Sequence, residues 1–409
     1  MAKAAAKNAR KLSVAADLLW TVEKQEIDPL KQRPNKILVL VTEDWFAASH
    51  FIPTIEALCV TGAEVAIVTR VAQKRSALEA TGARIIPFDF SRGPLRPLQE
   101  ARVAWRLRKL LANEKPDAIH AISLKPIALI TGLRGVVPRH ALGIHLTGVG
   151  YAGTASAGRT GLVYRRVLKM VVRQLQRDPK THLFVENPDD SARLAQFGAF
   201  PQERVTILGG AGVDPKRFEG SELPLGEQVR AGFVGRMVWT KGVDLLIDAY
   251  DHLNAEGLAF RIDLCGTPDP ENPRAVSDAQ LQNWSARDSV TWRGRVEDIA
   301  SFWKAMDICV VPSRGGEGLP RALLEAAASG RPIVTTDVPG CRYFVRDGIE
   351  GLIVPPDDSR SLASALKRLI QDPETCRRMG AAARERLLSG FTEDHLRAAV
   401  RAQYMKMLS

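Results

Sequence analysis

From residue 36 onward, short runs of aliphatic and β-branched residues alternate with longer segments whose apolar positions recur every three or four residues. The run KILVLVTEDW is apolar on both faces before it turns polar, the signature of a strand buried in a parallel sheet. A helical pattern follows over IPTIEALCVTG, then the strands EVAIVTR and ARIIPF, a basic helix from about Leu98 to Asn113, and the strands DAIHAIS and HALGIHLTG. The rhythm restarts after ERVTILGGAGVDPKRF. VRAGFVGR, FRIDLCG, SVTWRG, ICVVPS, PIVTTD and GLIVPP read as strands there, and GVDLLIDAYDHL, DIASFWKAMD and PRALLEAAASG as helices. Strands alternating with helices predict βαβ units, so the expected fold is α/β with two doubly wound, Rossmann-like domains facing across a cleft. The expected boundaries are residues 36–205 and 206–390. Residues 1–35 form a basic, Ala-rich leader, helical or disordered, and residues 391–409 a C-terminal helix packing back on the first domain. In such sheets ligands lie beyond the carboxyl ends of the strands, which is where chemistry should be sought.

Composition narrows the class. The chain has 409 residues, 45% hydrophobic and 25% charged, which suits soluble globular domains. No stretch approaches the roughly 20 apolar residues of a membrane span. The N-terminus lacks the apolar run of a secretory signal, so a cytoplasmic location is expected. The five cysteines are scattered without metal-ligand spacing and read as reduced thiols.

The net charge is +11, which favours anionic partners. Between Arg159 and Lys180, Arg165, Arg166, Lys169, Arg173 and Arg177 face one acid, Asp178. A second basic stretch holds Arg92, Arg96, Arg102, Arg106, Arg108 and Lys109. Leu162, Val163, Val167, Leu168, Val171, Val172 and Leu175 recur at helical spacing among the first set. Such a helix can rest on an anionic membrane, or pack its apolar face on its own sheet with solvated arginines outside, and the two are compatible. Nucleic acid is not expected, because the aromatics, 6% of residues, do not interleave with the basic runs.

The candidate chemistry lies in the second half. In VGRMVWTKG, Arg236 follows a strand directly and Lys241 comes five residues later, before a helix. Two cations beyond a strand's carboxyl end suit a diphosphate, though solvated loop charges would give the same pattern. RGGEGLPRALLEAAASGRP is a glycine turn entering a helix, with Glu317 in the turn and Glu325 inside the helix. Gly315, Gly316 and Gly318 permit close backbone approach, Pro320 suits the first helical turn, and the helix start offers free N–H groups to an anion. Carboxylates hold neutral hydroxyls well, so the pair suits a ligand with sugar rings on either side of a phosphate bridge. A helix cap at Glu317 and a structural ion pair at Glu325 explain the same residues.

Residues 234–356 resemble the nucleotide-sugar domain of the family 4 glycosyltransferases, retaining enzymes of GT-B architecture. GRMVWTKG is similar to the family's Gly-Arg…Lys-Gly element, and EGLPRALLE carries its two glutamates with seven residues between. GRPIVTTDVPGCRYFVRDGIEGLIVPPDD resembles its next strand, Pro-Gly turn and closing loop. TEDWFAASHFIP, HLTGVGY and FVENPDD extend a looser likeness to the first half, where TEDWFAASH resembles bacterial enzymes of surface-polysaccharide and lipopolysaccharide assembly and the HLTGVGY loop resembles that of transferases acting on polyprenyl-diphosphate sugars. The resemblance implies transfer of a hexosyl or N-acetylhexosaminyl group from a UDP- or GDP-sugar. Arg236 and Lys241 would bind the diphosphate, Glu317 the transferred sugar and Glu325 the ribose. Gly318, Leu319 and Pro320 would offer backbone amides, and Gly294, Arg295 and Val296 would receive the base. Neutralisation of the diphosphate by cations implies no metal and no further cofactor.

The same resemblance puts the acceptor in the first half, where a lipid-linked sugar or an oligosaccharide is expected. Candidates there are His50, His120, Lys125, Gly148 and Gly150, with His120 also a catalytic candidate beside Glu317, Arg236 and Lys241. A loop in place of the family's glycine-rich turn, TEDWFAASH, sets this chain apart. The basic helix implies peripheral attachment to the inner face of the cytoplasmic membrane. A soluble acceptor, or a sugar-nucleotide epimerase or hydrolase on the same fold, are the alternatives.

Overall fold

The computed structural model describes residues 35–90, 97–138, 140–148, 158–224, 226, 228–270, 272 and 274–409, without the side chains of 158–160. The leader, Arg92, Arg96 and Gly150 lie outside those residues, as does the side chain of Arg159. The first half contains β1 (Lys36–Glu43), α1 (Asp44–His50), α2 (Ile52–Cys59), β2 (Glu64–Arg70), α3 (Arg75–Glu79), β3 (Arg84–Pro87), α4 (Pro97–Glu114), β4 (Ala118–Ile122), α5 (Leu124–Leu133), β5 (Ala141–Leu146), α6 (Gly158–Leu175), β6 (Thr181–Val185), α7 (Pro188–Ala195) and β7 (Val205–Ile207). The strands form one parallel sheet in the order β3-β2-β1-β4-β5-β6-β7. The order reverses direction beside β1, so the switch point lies between β1 and β4.

The second half contains β8 (Arg230–Val234), α8 (Val243–Ala255), β9 (Arg261–Cys265), α9 (Asp278–Trp284), β10 (Val290–Trp292), α10 (Ile299–Lys304), β11 (Ile308–Val311), α11 (Arg321–Ala328), β12 (Ile333–Thr336), α12 (Pro339–Phe344), β13 (Gly351–Val354), α13 (Ser359–Gln371), α14 (Pro373–Leu388) and α15 (Glu393–Leu408). Its parallel sheet runs β10-β9-β8-β11-β12-β13, again with a switch beside the first strand. The central strands are apolar on both faces because helices cover both, which is why their runs are continuous rather than alternating. The periodicity does not mark β6 and β7. They are short, and β7 straddles residue 205, so the first sheet reaches Ile207.

The chain's end belongs to the first lobe. Leu396, Val400 and Tyr404 of α15 are buried among Ile37, Val39, Ile55 and Phe184. Arg397 fixes the helix start, reaching Glu56 of α2 at 2.9 Å and Glu393 at 2.8 Å. The buried residues of α6, Leu168, Val171, Val172 and Leu175, join those of α4 and α5 under the opposite face of the same sheet.

Enclosed imidazoles make this fold sensitive to acid. Burial is the first cause that lowers His50 to about 3, His145 to about 3, and His140 and His182 to about 4, and it holds His120 well below its ordinary value too. Below about pH 6.5 these imidazoles therefore bind more protons in the unfolded chain than in the folded one. The stability these groups support is complete above that pH and is lost as pH falls towards 4. Thermal denaturation should show Tm falling from pH 7 to pH 5, with a shallower slope in His182→Asn. A Tm that is flat over this range would contradict neutral burial of these side chains.

Candidate functional site

The carboxyl ends of the two sheets border one cleft of about 880 Å³. On the C-terminal side β8 ends at Val234 and the chain turns through Gly235 and Arg236. A short 3-10 turn, Trp239–Lys241, then leads into α8. Arg236 is half exposed and pairs with Asp269 at 2.9 Å. Lys241 pairs with Glu317 at 2.5 Å. Both cations and Glu317 line the cleft.

Arg314 fixes the turn that carries Lys241. Its guanidinium forks onto Asp244 of α8 with two bonds of 2.7 Å, and donates to Asp357 and to the Trp239 carbonyl at 2.5 Å each. Its backbone N–H donates to Thr240 O at 2.9 Å. A planar fork is suited to such a bidentate bond, which a lysine at this position would not reproduce.

Beyond β11 the glycine turn leads to Pro320, which precedes the first residue of α11. Glu325, one turn into α11, is buried and pairs with Arg321 at 2.9 Å. Burial pushes its carboxyl above the usual range, and Arg321 pulls in the other direction. Gly318, Leu319, Pro320, Arg295 and Val296 line the same cleft. The sequence candidates of the C-terminal half thus converge, and two of them, Lys241 and Glu317, pair with each other.

The opposite wall is built by α1 and the ends of β5 and β6. Trp45, Phe46, Ser49 and His50 face the cleft from α1, and His50 Nδ1 lies 2.6 Å from Ser49 Oγ. Burial, then the charges of Arg321, Lys241 and Arg236, keep that imidazole neutral. Asp44 shapes the rim. Its Oδ2 accepts the N–H groups of Ala72, Gln73 and Lys74 at 2.7, 2.8 and 2.9 Å, bringing Lys74 to the cleft edge. Burial opposes the Asp44 charge, but these donors outweigh it and lower its pKa.

Two acceptor-side candidates are displaced. His120 is fully buried, with Nδ1 2.8 Å from Tyr404 Oη and Nε2 3.3 Å from His145 Nδ1. It does not line the cleft, because β4 continues to Ile122 and places His120 inside the sheet rather than at its edge. Ser123 takes the cleft position instead. Lys125 leans away to Glu100 of α4 at 2.9 Å and does not line the cleft either. Gly148 does, with φ of +110°. The sequence reading passed over Glu186, Arg217, Arg321 and Lys74, all of which face the cleft. Arg217 and Glu186 sit within quoted stretches, GGAGVDPKRF and FVENPDD, but carry no periodic signal. Among the described residues no group of three or more His, Cys, Asp or Glu side chains could hold a metal ion.

Comparisons with known proteins agree with this architecture. Residues 36–176 match the "Glycosyl transferase 4-like" family model and residues 228–372 match "Glycosyl transferases group 1". An exopolysaccharide phosphotransferase of Streptomyces coelicolor is 33% identical over 40% of this chain, but only 18% of that relative is covered. For the capsular polysaccharide glycosyltransferase CapM of Staphylococcus aureus, 25% identical over 51% of this chain, the covered share is 57%. The chain thus spans less than two thirds of the length of these curated relatives. An N,N'-diacetylbacillosaminyl-diphospho-undecaprenol alpha-1,3-N-acetylgalactosaminyltransferase of Campylobacter jejuni is 24% identical over 79% of this chain and 86% of its own. Among solved structures, HepE of Anabaena in complex with UDP-glucose superposes with a TM-score of 0.72 at 16% identity, covering 91% of this chain and 99% of that one. The fold is GT-B.

The two walls touch at Gly148. A Cβ there would lie 2.5 Å from Gly318 N and 2.6 Å from Glu317 C, and the positive φ already disfavours a side chain. Gly148→Ala should therefore force the lobes apart. Small-angle scattering should give a larger radius of gyration than wild type, together with a lower Tm. Coincident scattering curves would refute this contact.

Proposed function

With a glycosyltransferase 4-like match in its first half and a group 1 match in its second, the chain is of the family 4 glycosyltransferase type. From that premise we propose that it moves a hexosyl or N-acetylhexosaminyl group from a UDP- or GDP-sugar to an acceptor hydroxyl, with retention of anomeric configuration, in bacterial polysaccharide or lipopolysaccharide assembly. The observation that carries this reading is the convergence of Arg236, Lys241, Glu317 and Glu325 on one cleft between the sheets. A diphosphate suits the two cations and the N–H groups that open α11. Glu317 suits the hydroxyls of the transferred sugar, and Glu325 those of the ribose. Arg295 and Val296, which line the same cleft, suit the base.

The anomeric carbon's bond to the diphosphate oxygen breaks as its bond to the acceptor oxygen forms on the same face. The acceptor proton passes to the departing phosphate, whose developing charge is met by Arg236 and Lys241. These cations take the place that a divalent metal would otherwise fill, so the reaction needs no metal. Lys241 exchanges its carboxylate partner for phosphate, which leaves Glu317 available to the sugar. His120, enclosed in the first lobe, has no part in this step.

A polyprenyl-diphosphate sugar is the proposed acceptor, in keeping with the name of the Campylobacter relative. An enzyme working on such a lipid must reach the bilayer. No helix among the described residues is long and apolar enough to cross it. Instead α4 and α6 pack beneath one sheet face and leave a basic outer surface. Trp105 and Met170 protrude from it, 62% and 58% exposed, with Leu162 and Val163 beside Arg165 and Arg166. Arg102, Arg108, Lys109, Lys169 and Arg173 add to the charge. Anionic headgroups and shallow insertion of the apolar side chains suit that pattern.

A panel of UDP- and GDP-sugars, offered with extracted polyprenyl-diphosphate-sugar acceptors without added metal, tests the reaction. Acceptor-dependent release of nucleoside diphosphate is expected. Lys241→Ala should lower turnover by about 10²–10³, the typical value of one preorganised charge contact. Near-normal turnover in that variant would reject the diphosphate assignment. In sedimentation assays, vesicles with anionic lipid should retain the protein at low salt and release it at high salt. Equal binding to neutral vesicles would remove the charge-driven attachment.

A further inference from the structure

The turn that carries Glu317 is gripped by the opposite lobe at three consecutive backbone groups. Gly318 N donates to Thr147 O at 3.1 Å. Gly318 O accepts from Asn187 Nδ2 at 2.8 Å, and Leu319 N donates to Glu186 Oε2 at 2.7 Å. Glu186 and Asn187 follow β6 directly, so both come from the N-terminal lobe. Asn187 is fully buried and held in one rotamer. Its Oδ1 accepts from Asp190 N at 2.8 Å, and its Nδ2 also donates to Asp190 Oδ2 at 2.9 Å.

The fit leaves no room for a side chain on the turn. A Cβ on Gly318 would come 2.0 Å from Glu186 Oε2 and 2.9 Å from Glu186 Cβ. Glu186 is itself costly to keep here. It is almost wholly buried, and burial, with the negative charges of Asp190 and Glu317 nearby, pushes its carboxyl up to about 8. A hydrophobic or amide side chain would fill the space at lower cost, since a buried carboxyl must be satisfied to be tolerated. The Leu319 amide satisfies it, and that amide exists in this place only while the lobes are together.

We propose that Glu186 and Asn187 form a clasp between the lobes, and that Glu186 is a positioning residue for sugar transfer, acting through the Gly318–Leu319 peptide to hold Glu317 and the start of α11 against the acceptor side of the cleft. Its catalytic consequence rests on the transferase reading, but its structural consequence does not. The clasp orders the donor-side turn only in the closed arrangement, so donor binding to Arg236 and Lys241 is largely independent of it while the transfer step is not. A misplacement on the order of 1 Å in such a turn can cost about 10²-fold in rate.

The test compares Glu186→Ala, which removes the acceptor, with Glu186→Gln, which keeps an oxygen for Leu319 N–H. Scattering from the ligand-free proteins should show Glu186→Ala more open than wild type and Glu186→Gln unchanged. With an active donor and acceptor pair, Glu186→Ala should lose about 10²-fold in kcat while its KM for donor stays within a few-fold, and Glu186→Gln should recover most of the loss. Should Glu186→Ala fail to fold, Gly318→Ala attacks the same contact from the other lobe and should open the protein in scattering. A scattering curve for the folded Ala variant that superposes on wild type overturns the clasp. So does a loss shared equally by kcat and donor KM, or a Glu186→Gln as impaired as Glu186→Ala. If wild type itself turns over no donor in the panel, the transferase reading falls and the scattering comparison alone decides the clasp.

Discussion

The cleft depends on a cation placed behind it. Arg314 joins the turn after β8, the first turn of α8 and the loop beyond β13, through Trp239, Asp244 and Asp357. Side-chain hydrogen bonds to those two aspartates outweigh the penalty of burial and hold its guanidinium firmly charged. Loops at the carboxyl ends of a parallel sheet have no ladder to fix them, so something else must. Here one planar fork does it, and Lys241, carried on the turn that Arg314 anchors, arrives within 2.5 Å of Glu317. Two opposite charges this close in a concave, partly shielded site attract each other strongly, and on the proposed reading a diphosphate takes the carboxylate's place at Lys241.

Closure adds a second constraint. The described chain crosses between lobes twice, once after β7 and once before α15, and α15 is welded to the first lobe by Leu396, Val400 and Tyr404. A pair of crossings restricts relative motion of the lobes to a hinge, since a single linker would allow free rotation. The contact surface at the hinge's far side sets backbone groups of Thr147, Gly148, Gly318 and Leu319 against each other and against the side chains of Glu186 and Asn187. Arg321 extends it by donating to the Ser49 carbonyl of α1, and Arg342 of α12 reaches Asp189 of α7 at 3.2 Å. Glycines are needed at such an interface because peptide groups approach within hydrogen-bond distance only where no Cβ intervenes.

The legible parts of the site are those that chain-local rules determine. Arg236 and Lys241 were readable because both follow one strand within a few residues. Glu317 and Glu325 were readable because a glycine turn and a helix start are written in the same short stretch. His120 misled for a local reason too. It lies near the end of an apolar run, but β4 extends two residues past it, so the side chain meets Tyr404 from a helix 284 positions away in sequence rather than the cleft. Lys125 fails in the same manner, drawn off by Glu100 on α4. Glu186 was out of reach for the converse reason. Its role follows from Leu319, 133 residues on, and nothing in FVENPDD hints at that partner. Periodicity reports which face of an element is covered, and it carries no information on which loop from another lobe will meet its end.

Helix α6 shows how two readings of one pattern can hold at once. Its apolar residues do not form a single stripe. Leu168, Val171, Val172 and Leu175 enter the core, whereas Leu162, Val163 and Met170 remain outside among the arginines. Packing on the sheet therefore uses Tyr164, Val167 and the later apolar positions. For a helix whose purpose was only to cover its sheet, the outer positions would be polar, since exposed apolar side chains next to a strong positive field add nothing to folding. The arrangement becomes economical if that face meets a surface that is anionic at its headgroups and apolar just beneath. On the proposed reading the net charge of +11 has two separate tasks: Arg236 and Lys241 would hold a small diphosphate inside the cleft, and the cations of α4 and α6 would orient the first lobe towards an anionic membrane surface.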